Sequence, residues 1–536
     1  MTSRRDSLTA TGDLVRFALR RDRVKLPIWI GAIGLGMLYA VSALPTVYST
    51  PAERQVRADL MKSPAATMMS GPGYGLDNYT LGAMITNEMV LWLAVPAAMM
   101  SIFLVVRHTR AEEETGRAEL IRSAVVGRYA APVSALIVAL LANAGVAVLT
   151  ALAMISGGLA ATDSSAVGIG LGLTGMAFAG VATVTAQLTE HARSASSLAM
   201  TVVGAAFLLR AVGDAAQPGG SLVSWFSPLA WIQQSRPFVD LRWWPLLLPV
   251  ALLLVTVVLA RALSVRRDVG AGLLPARLGR ADAGRTLSTP FGLAVRQQRA
   301  SVIGWAAGLF VFAVASGSLS DSVTDAVAEN PAMGEMFARN GLEPTDGFYA
   351  TMALFFALLI AAFAVSSVLR LRSEERSGHT EAVLATAVSR RRWISAWVGF
   401  TTLASAVLLL VSGLGVGLGA VSGAAGPGVV GEVLLATLAF LPPVLVVVGL
   451  TTALFGVRPG FAVWAWLLVG YAFFFGMFGA LLDLPTLFTD LSPFSHLTVM
   501  PLDRLSAVPL VVLTAIAAIL ALAGRSLFQR RDLDVP

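Results

Sequence analysis

The chain has 536 residues, of which 56% are hydrophobic and only 13% are charged. Soluble domains carry about 25% charged residues, so this composition excludes an ordinary soluble protein and predicts a multi-pass membrane protein. There is no cysteine, which excludes disulfides, thiol catalysis and cysteine-ligated metal sites. The net charge is +7, and what it indicates about function depends on where the charged residues lie in the chain.

The N-terminal region contains a basic, amphipathic stretch, LVRFALRRDRVKLPIW, that leads directly into the first apolar segment. Arg16, Arg20 and Arg23 share one helical face, as expected of a helix that lies in the membrane interface. No cleavage pattern follows, so we expect the first span to be retained and not removed as a signal peptide. The same lead-in recurs later as FGLAVRQQRASVIGW, where Arg296 and Arg299 take the matching positions.

Twelve apolar segments are predicted to cross the bilayer, which needs about 18 or more apolar residues each. Six lie in each half, and the fourth and fifth segments of each half are separated only by a short turn. The ends of the segments are defined to within a few residues. The predicted spans are 27–46, 87–106, 130–157, 166–188, 195–215 and 243–263 in the first half, and 302–318, 348–370, 393–421, 428–455, 460–482 and 506–525 in the second.

A charged stretch between the second and third spans is written twice, as RAEEETGRAELIRSAVVGRY from 110 and as RSEERSGHTEAVLATAVSRR from 372. An internal repeat of this kind defines the architecture, because each copy belongs to one structural unit. A single copy would be interpreted as a solvated loop, but recurrence of the spacing among differing apolar neighbours indicates a docking surface used twice. The shared acidic and glycine residues are Glu112, Glu113, Gly116 and Glu119 in the first copy, and Glu374, Glu375, Gly378 and Glu381 in the second.

The basic residues indicate the orientation. Most of the 39 Lys and Arg residues fall on one side if both termini, both charged stretches and the region 261–300 share that side. The positive-inside rule then places that side, with the N and C termini, in the cytoplasm of a cell-membrane protein. We predict an all-α polytopic membrane fold with two parallel six-helix halves, residues 1–268 and 290–536, joined by a cytoplasmic linker at 269–289.

The chain carries no energy-providing motif of its own. No Gly-x-x-x-x-Gly-Lys-Ser/Thr loop is present. The charged residues close to the spans are few, and they include Glu88 and Glu432. Arg210 and Asp214, four residues apart, are expected to neutralise each other and not to form a proton relay. The four histidines are scattered, so no metal site is expected.

The two charged stretches resemble the coupling-helix segment of ATP-binding-cassette exporter permeases of the second, ABC-2-type class. In that segment an acidic pair, a Ser/Thr-Gly or Gly-Thr turn and a further glutamate follow the second span, as residues 112–119 and 374–381 do here. The lead-ins around Arg20 and Arg296 are similar to the elbow helices of that class. The fused twelve-span form resembles the antibiotic-exporter permeases of the tetronasin-resistance type.

This resemblance implies a permease subunit that binds two copies of a separate ATPase through its coupling helices. The partner would bind ATP and Mg²⁺, and the chain itself would need no cofactor, perform no catalysis and bind no nucleic acid. Besides membrane lipids, its ligands would be hydrophobic or amphipathic compounds, such as polyketide antibiotics or lipids, on their way out of the cell. The resemblance places the path along the first, second and fifth spans, where the bulky apolar residues are Met89, Trp92, Met99, Phe207, Phe355, Phe356 and Phe474.

Two other classes stay open from the sequence. An ion-gradient-driven secondary transporter with two six-span halves would share this topology, although few charges lie in the spans. An intramembrane enzyme acting on lipids would need a His, Asp or Ser constellation, and the sequence offers none at matching depth. In the ATP-driven interpretation, charge reversal of the acidic pairs is expected to release the ATPase while the membrane domain stays folded; these are Glu112, Glu113, Glu374 and Glu375.

Overall fold

In the computed structural model of the chain, the described part is helical and contains no strand. It divides into two compact units, Met1–Gly279 and Arg280–Pro536, and each unit holds one copy of the repeat. The structure describes residues 6–62, 64–217, 219–268, 270–274, 282–320, 344–422, 425–478, 490–497 and 506–533.

The helices are numbered in chain order. The described residues of the first unit form α1 (Thr11–Arg21), α2 (Lys25–Val47), α3 (Pro51–Met61), α4 (Pro64–Ser70), α5 (Leu81–His108), α6 (Arg110–Glu114), α7 (Arg117–Arg122), α8 (Ala130–Ser156), α9 (Ala161–Leu188), α10 (Ala192–Ala216), α11 (Trp231–Gln234) and α12 (Leu247–Ser264). Those of the second unit form α13 (Pro290–Gly317), α14 (Pro344–Arg376), α15 (His379–Leu384), α16 (Arg390–Ser422), α17 (Val429–Ala439), α18 (Leu441–Val457), α19 (Ala465–Phe478) and α20 (Ala507–Arg530).

Eleven helical segments in the described ranges are long and apolar enough to cross a membrane. The predicted all-α polytopic membrane fold is therefore confirmed. The predicted span 460–482 corresponds to a shorter apolar segment, Phe461–Gly476, and the end of that prediction lies outside the described residues. The predicted span 428–455 is divided at Phe440 into α17 and α18, because the prolines that follow lack the N–H groups of a continuous helix.

Close helix packing in each core depends on glycines. A Cβ on Gly168 of α9 would lie 2.3 Å from the carbonyl oxygen of Ala147 on α8. One on Gly417 of α16 would lie 2.7 Å from the Cα of Val430 on α17. Only glycine allows the backbones to approach so closely.

The two lead-in segments differ in form. In the first unit α1 is a separate amphipathic helix that ends at Arg21, and a turn at Asp22 precedes α2. In the second unit the lead-in and the first span are one continuous helix, α13. Aspartate is disfavoured inside helices, whereas glutamine, which stands at the matching position as Gln298, is well tolerated. The predicted elbow helix therefore forms a separate helix, α1, in the first unit. In the second unit the part of α13 around Arg296 and Arg299 takes its place, and we call α1 with its turn at Asp22, and this part of α13, the elbow segments.

Candidate functional site

Each charged stretch contains a glycine turn of the same geometry. Gly116 lies between α6 and α7, Gly378 precedes α15, and both have a φ of 72°. A Cβ on either glycine would meet no atom within 4 Å. The left-handed backbone, and not a lack of space, therefore requires glycine at these positions. Each glycine thus forms the turn that the resemblance implies between the acidic pair and the further glutamate.

The second glutamate of each acidic pair is bound by an arginine at the end of the last span of its unit. Arg267 donates from Nη1 and Nη2 to the two carboxylate oxygens of Glu113 at 2.8 and 2.9 Å. In the second unit Arg531 donates to both oxygens of Glu375 at 2.6 Å. Arg110 Nη1 also donates to Glu113, at 2.7 Å. Bidentate pairing fixes the orientation of both side chains, and we call this repeated contact the tail clamp.

The first glutamate of each pair faces the elbow segment. Glu112 is buried and accepts a hydrogen bond from Arg21 Nη1 at the end of α1. Glu374 accepts one from Gln297 Nε2 at 3.2 Å, and Gln297 stands where the first copy has Arg21. We call this repeated contact the elbow contact. It is ionic in the first unit and uses a neutral amide in the second, so the first is the stronger of the two.

A second layer of contacts joins the elbow segment to the end of the second span. Asp22 lies 2.5 Å from His108 Nε2 and 3.1 Å from Arg107 Nη1. In the second unit Gln298, at the position of Asp22, accepts a hydrogen bond from Ser367 Oγ at 2.8 Å. In both of these contacts the elbow segment thus supplies a charged side chain in the first unit and a glutamine in the second.

These contacts change the interpretation of the acidic pairs. The four glutamates tie each charged stretch to the elbow and to the tail of its own unit, so they do not form a free carboxylate surface. The exposed carboxylates beyond the glycine of each stretch are Glu119 and Glu381. In the first copy Leu120 and Val125 are also 74% and 86% exposed, whereas the residue that matches Leu120 is Ala382. Charge reversal of the pairs is now expected to destabilise each unit.

The predicted elbow arginines are exposed, and their neighbours make the contacts. Arg20, Arg23, Arg296 and Arg299 are all on the surface. Identity between the two copies singled out these four residues. The residues that make the contacts lie between these arginines, as Arg21 and Asp22 in the first copy and Gln297 and Gln298 in the second. Because they differ in type, identity between the copies could not reveal them.

The predicted path residues differ in exposure. Met89, Trp92 and Met99 share one face of α5, and Trp92 is exposed. Phe474 is exposed, while Phe207 and Phe355 are partly buried. Phe356 is fully buried, with its ring centre 5.6 Å from that of Phe312. Phe356 therefore faces the core of its own unit, because successive helical residues point about 100° apart. The assignment of these residues to a substrate path stays a prediction.

The segment of the first unit between α2 and α5 is held by an ion pair whose carboxylate is buried. Arg57 on α3 donates from Nη2 to Glu88 Oε2 on α5 at 2.8 Å, and its Nε lies 3.1 Å from Oε1. The Tyr79 hydroxyl lies 3.4 Å from the same carboxylate. Burial, reinforced by the charge of Glu88, raises the pKa of Tyr79 above its usual range, so it stays protonated as a donor.

The same segment is also bound to α10, the fifth span of the first unit. Arg210 on α10 pairs with Asp214 at 2.8 Å and donates to the carbonyl oxygens of Thr67 and Met68 in the last turn of α4. The mutual neutralisation predicted for this i, i+4 pair is confirmed. Carbonyls at a helix end need outside donors, and Arg210 supplies two hydrogen bonds to them. We call α3, α4 and the side chains that hold them the outer cap.

Replacing Glu88 with glutamine is expected to destabilise the outer cap by about 2 kcal/mol, because Arg57 loses its carboxylate. The loss should be smaller than the ~3–5 kcal/mol of a fully buried pair, since the Arg57 side chain is 32% exposed. Thermal unfolding of the purified chain should move to lower temperature. Glu432→Gln, at an exposed carboxylate, should leave the transition unchanged, and equal transitions for both variants would contradict this role of Glu88.

The helices and the repeated contacts define a multi-pass membrane protein built from two similar units. A family described as "Multidrug efflux system permease Rv1217c, C-terminal domain" matches residues 14–263 and 287–529. The chain is also 39% identical to the multidrug efflux system permease protein Rv1217c of Mycobacterium tuberculosis, over 99% of this chain and 96% of that protein. The chain therefore belongs to the Rv1217c family of multidrug efflux system permeases.

Proposed function

We propose that this chain is the membrane-spanning permease subunit of an ATP-driven exporter that moves hydrophobic or amphipathic compounds out of the cell. Membership of a multidrug efflux permease family supports efflux as the activity. The ATP-driven part rests on the resemblance of the charged stretches to the coupling helices of ABC-2-type permeases, in the fused form of the tetronasin-resistance type. In this proposal two copies of a separate ATPase bind ATP and Mg²⁺ and dock on the chain.

The observation that carries the proposal is the tail clamp, which recurs with the same bidentate geometry in both units. The adjacent glutamates of each acidic pair fix the charged stretch both to the elbow segment and to the arginine that follows the last span. A push on the exposed residues around Glu119 or Glu381 would therefore reach the first, second and last spans of that unit together. Closure of the ATPase subunits on ATP would in this way favour one conformation of the spans over another.

The membrane orientation is part of the proposal. The charged stretches and both termini would face the cytoplasm, where ATP is available, and the outer cap would face outside. The apolar face of α5 that contains Met89, Trp92 and Met99 suits a hydrophobic cargo, since aromatic and thioether side chains adapt to ligands of varied shape.

Transport by proteoliposomes tests the source of energy. Vesicles that hold the purified chain and its ATPase should move a lipophilic fluorescent dye only when ATP is supplied. An ATPase variant in which the phosphate-binding lysine is changed to alanine should bind the chain but support no transport. Dye movement driven by a proton gradient, by the chain alone, would overturn the proposal in favour of a secondary transporter.

A further inference from the structure

Two arginines, Arg128 in the turn before α8 and Arg261 on α12, lie against one tyrosine ring at the end of the spans that carries the charged stretches. The guanidinium carbons of Arg128 and Arg261 lie 5.9 and 5.4 Å from the ring centre of Tyr129, which directly precedes α8. Arg128 also donates to the carbonyl oxygen of Ser264 at 3.3 Å, which holds it beside the end of α12. Both arginines are exposed, and within the described residues neither forms an ion pair with a carboxylate.

Arg261 continues an apolar, exposed face of the last span. Leu254 and Val258 precede it on the same helical face and are 61% and 66% exposed. In a membrane helix such side chains suit the acyl region, and an arginine at the end of the same face reaches the headgroup layer. The cation is therefore positioned where the phosphate of a lipid would lie.

A cavity of about 130 Å³ borders the same tyrosine, between α1 and the start of α8. Phe17 on α1 and Pro132 on α8 form part of its apolar wall, and Arg128 belongs to its lining. The other arginines of the lining are engaged by the glutamates of the tail clamp and the elbow contact. Asp268, the remaining carboxylate of the lining, is exposed in the tail beyond α12. The site thus combines an apolar wall with a cation available to a ligand.

We propose that Arg128, Tyr129 and Arg261 bind the phosphate headgroup of an acidic phospholipid from the surrounding bilayer. The two guanidiniums supply donors and positive charge for a phosphodiester. The tyrosine ring fixes both cations, and Phe17 and Pro132 offer apolar surface to the glycerol and the first acyl carbons. A zwitterionic lipid carries its own ammonium group, which offsets the attraction, so the site selects lipids of net negative charge. This binding requires no ATPase.

Native mass spectrometry of the full purified chain tests this site. Phosphatidylglycerol and phosphatidylcholine with the same acyl chains are added separately, and their apparent dissociation constants are compared. Arg261→Gln should weaken phosphatidylglycerol binding about fivefold, as expected for about 1 kcal/mol per basic residue at a membrane surface. Binding of phosphatidylcholine should change little. Tyr129→Leu should reduce the preference as well, whereas Tyr129→Phe, which keeps the ring, should retain it.

Arg266→Gln is the matched control, because Arg266 is exposed just beyond α12 and the cations at the Tyr129 ring are Arg128 and Arg261. It should leave the lipid preference intact. An equal loss in this variant would show a general effect of surface charge and overturn the proposal. Excess inorganic phosphate should not displace the lipid; full displacement would assign the site to phosphate from solution. Unchanged phosphatidylglycerol affinity in Arg261→Gln protein of normal thermal stability would also overturn it.

Discussion

Replacing Glu375 with arginine is expected to abolish efflux and to lower the yield of folded protein. The variant would place two guanidiniums together where Arg531 now donates two hydrogen bonds of 2.6 Å to a buried carboxylate. Loss of one partner of a buried pair costs about 3–5 kcal/mol, a large part of the stability of a typical domain. Efflux from cells and the thermal unfolding of the purified chain measure the two effects.

The exchanged pair, Glu375→Arg with Arg531→Glu, is the control. It restores opposite charges at the tail clamp and should recover much of both the stability and the efflux. The same exchange in the first unit, Glu113→Arg with Arg267→Glu, should recover less stability and efflux. Arg110, which also pairs with Glu113, would remain in place and face the new arginine. Normal efflux in the single Glu375→Arg variant would show that the tail clamp plays no part in transport.

Reversing the exposed charges of both stretches, Glu119→Lys with Glu381→Lys, is expected to remove the ATPase from the purified complex. These side chains are exposed, so the chain itself should remain as stable as the natural protein. We expect the retained fraction of ATPase to fall at least about tenfold, which corresponds to a loss of about 1.4 kcal/mol or more of binding free energy. Quantitative co-purification from membranes measures that fraction.

The matched control reverses one carboxylate in each unit at the other end of the spans, Asp240→Lys with Glu432→Lys. It should keep the ATPase bound, because in the proposed orientation these residues face away from the cytoplasm. If the variant with Glu119→Lys and Glu381→Lys retained as much ATPase as this control, those two carboxylates would be excluded from the docking surface.

The helical architecture and the repeat could be predicted from the sequence because they depend on local patterns. Long apolar segments predicted the spans, and the glycine that recurs in both copies of the repeat indicated the turns at Gly116 and Gly378. The lengths of the helices were harder to predict. Asp22 ends a helix where Gln298 does not, and only the comparison of the two units makes that difference visible.

The contacts of the acidic pairs could not be predicted in the same way, because they join residues far apart in the chain. Arg267 and Arg531 follow the last spans, where the positive-inside rule alone accounts for basic residues. Their recurrence before an aspartate in ARALSVRRD and GRSLFQRRD was an available signal, since the acidic pairs recur too. The partners on the elbow, Arg21 and Gln297, differ in type and carried no such signal. The ion pair of Arg57 with Glu88 depends on how an outer segment folds back, which no local pattern encodes.

The central claim, that both charged stretches dock an ATPase, is tested most directly by cross-linking. The chain has no cysteine, so single cysteines can be placed at Leu120 and at Ala382 without other changes, and at Asp240 as the control. With a short bifunctional thiol reagent in native membranes, the first two variants should each form a product with a protein that contains a Gly-x-x-x-x-Gly-Lys-Ser/Thr motif. The Asp240 variant should form none. The claim would be contradicted if all three cysteine variants formed the cross-linked product equally. It would also be contradicted if the Leu120 and Ala382 variants formed none although their cysteines were fully labelled.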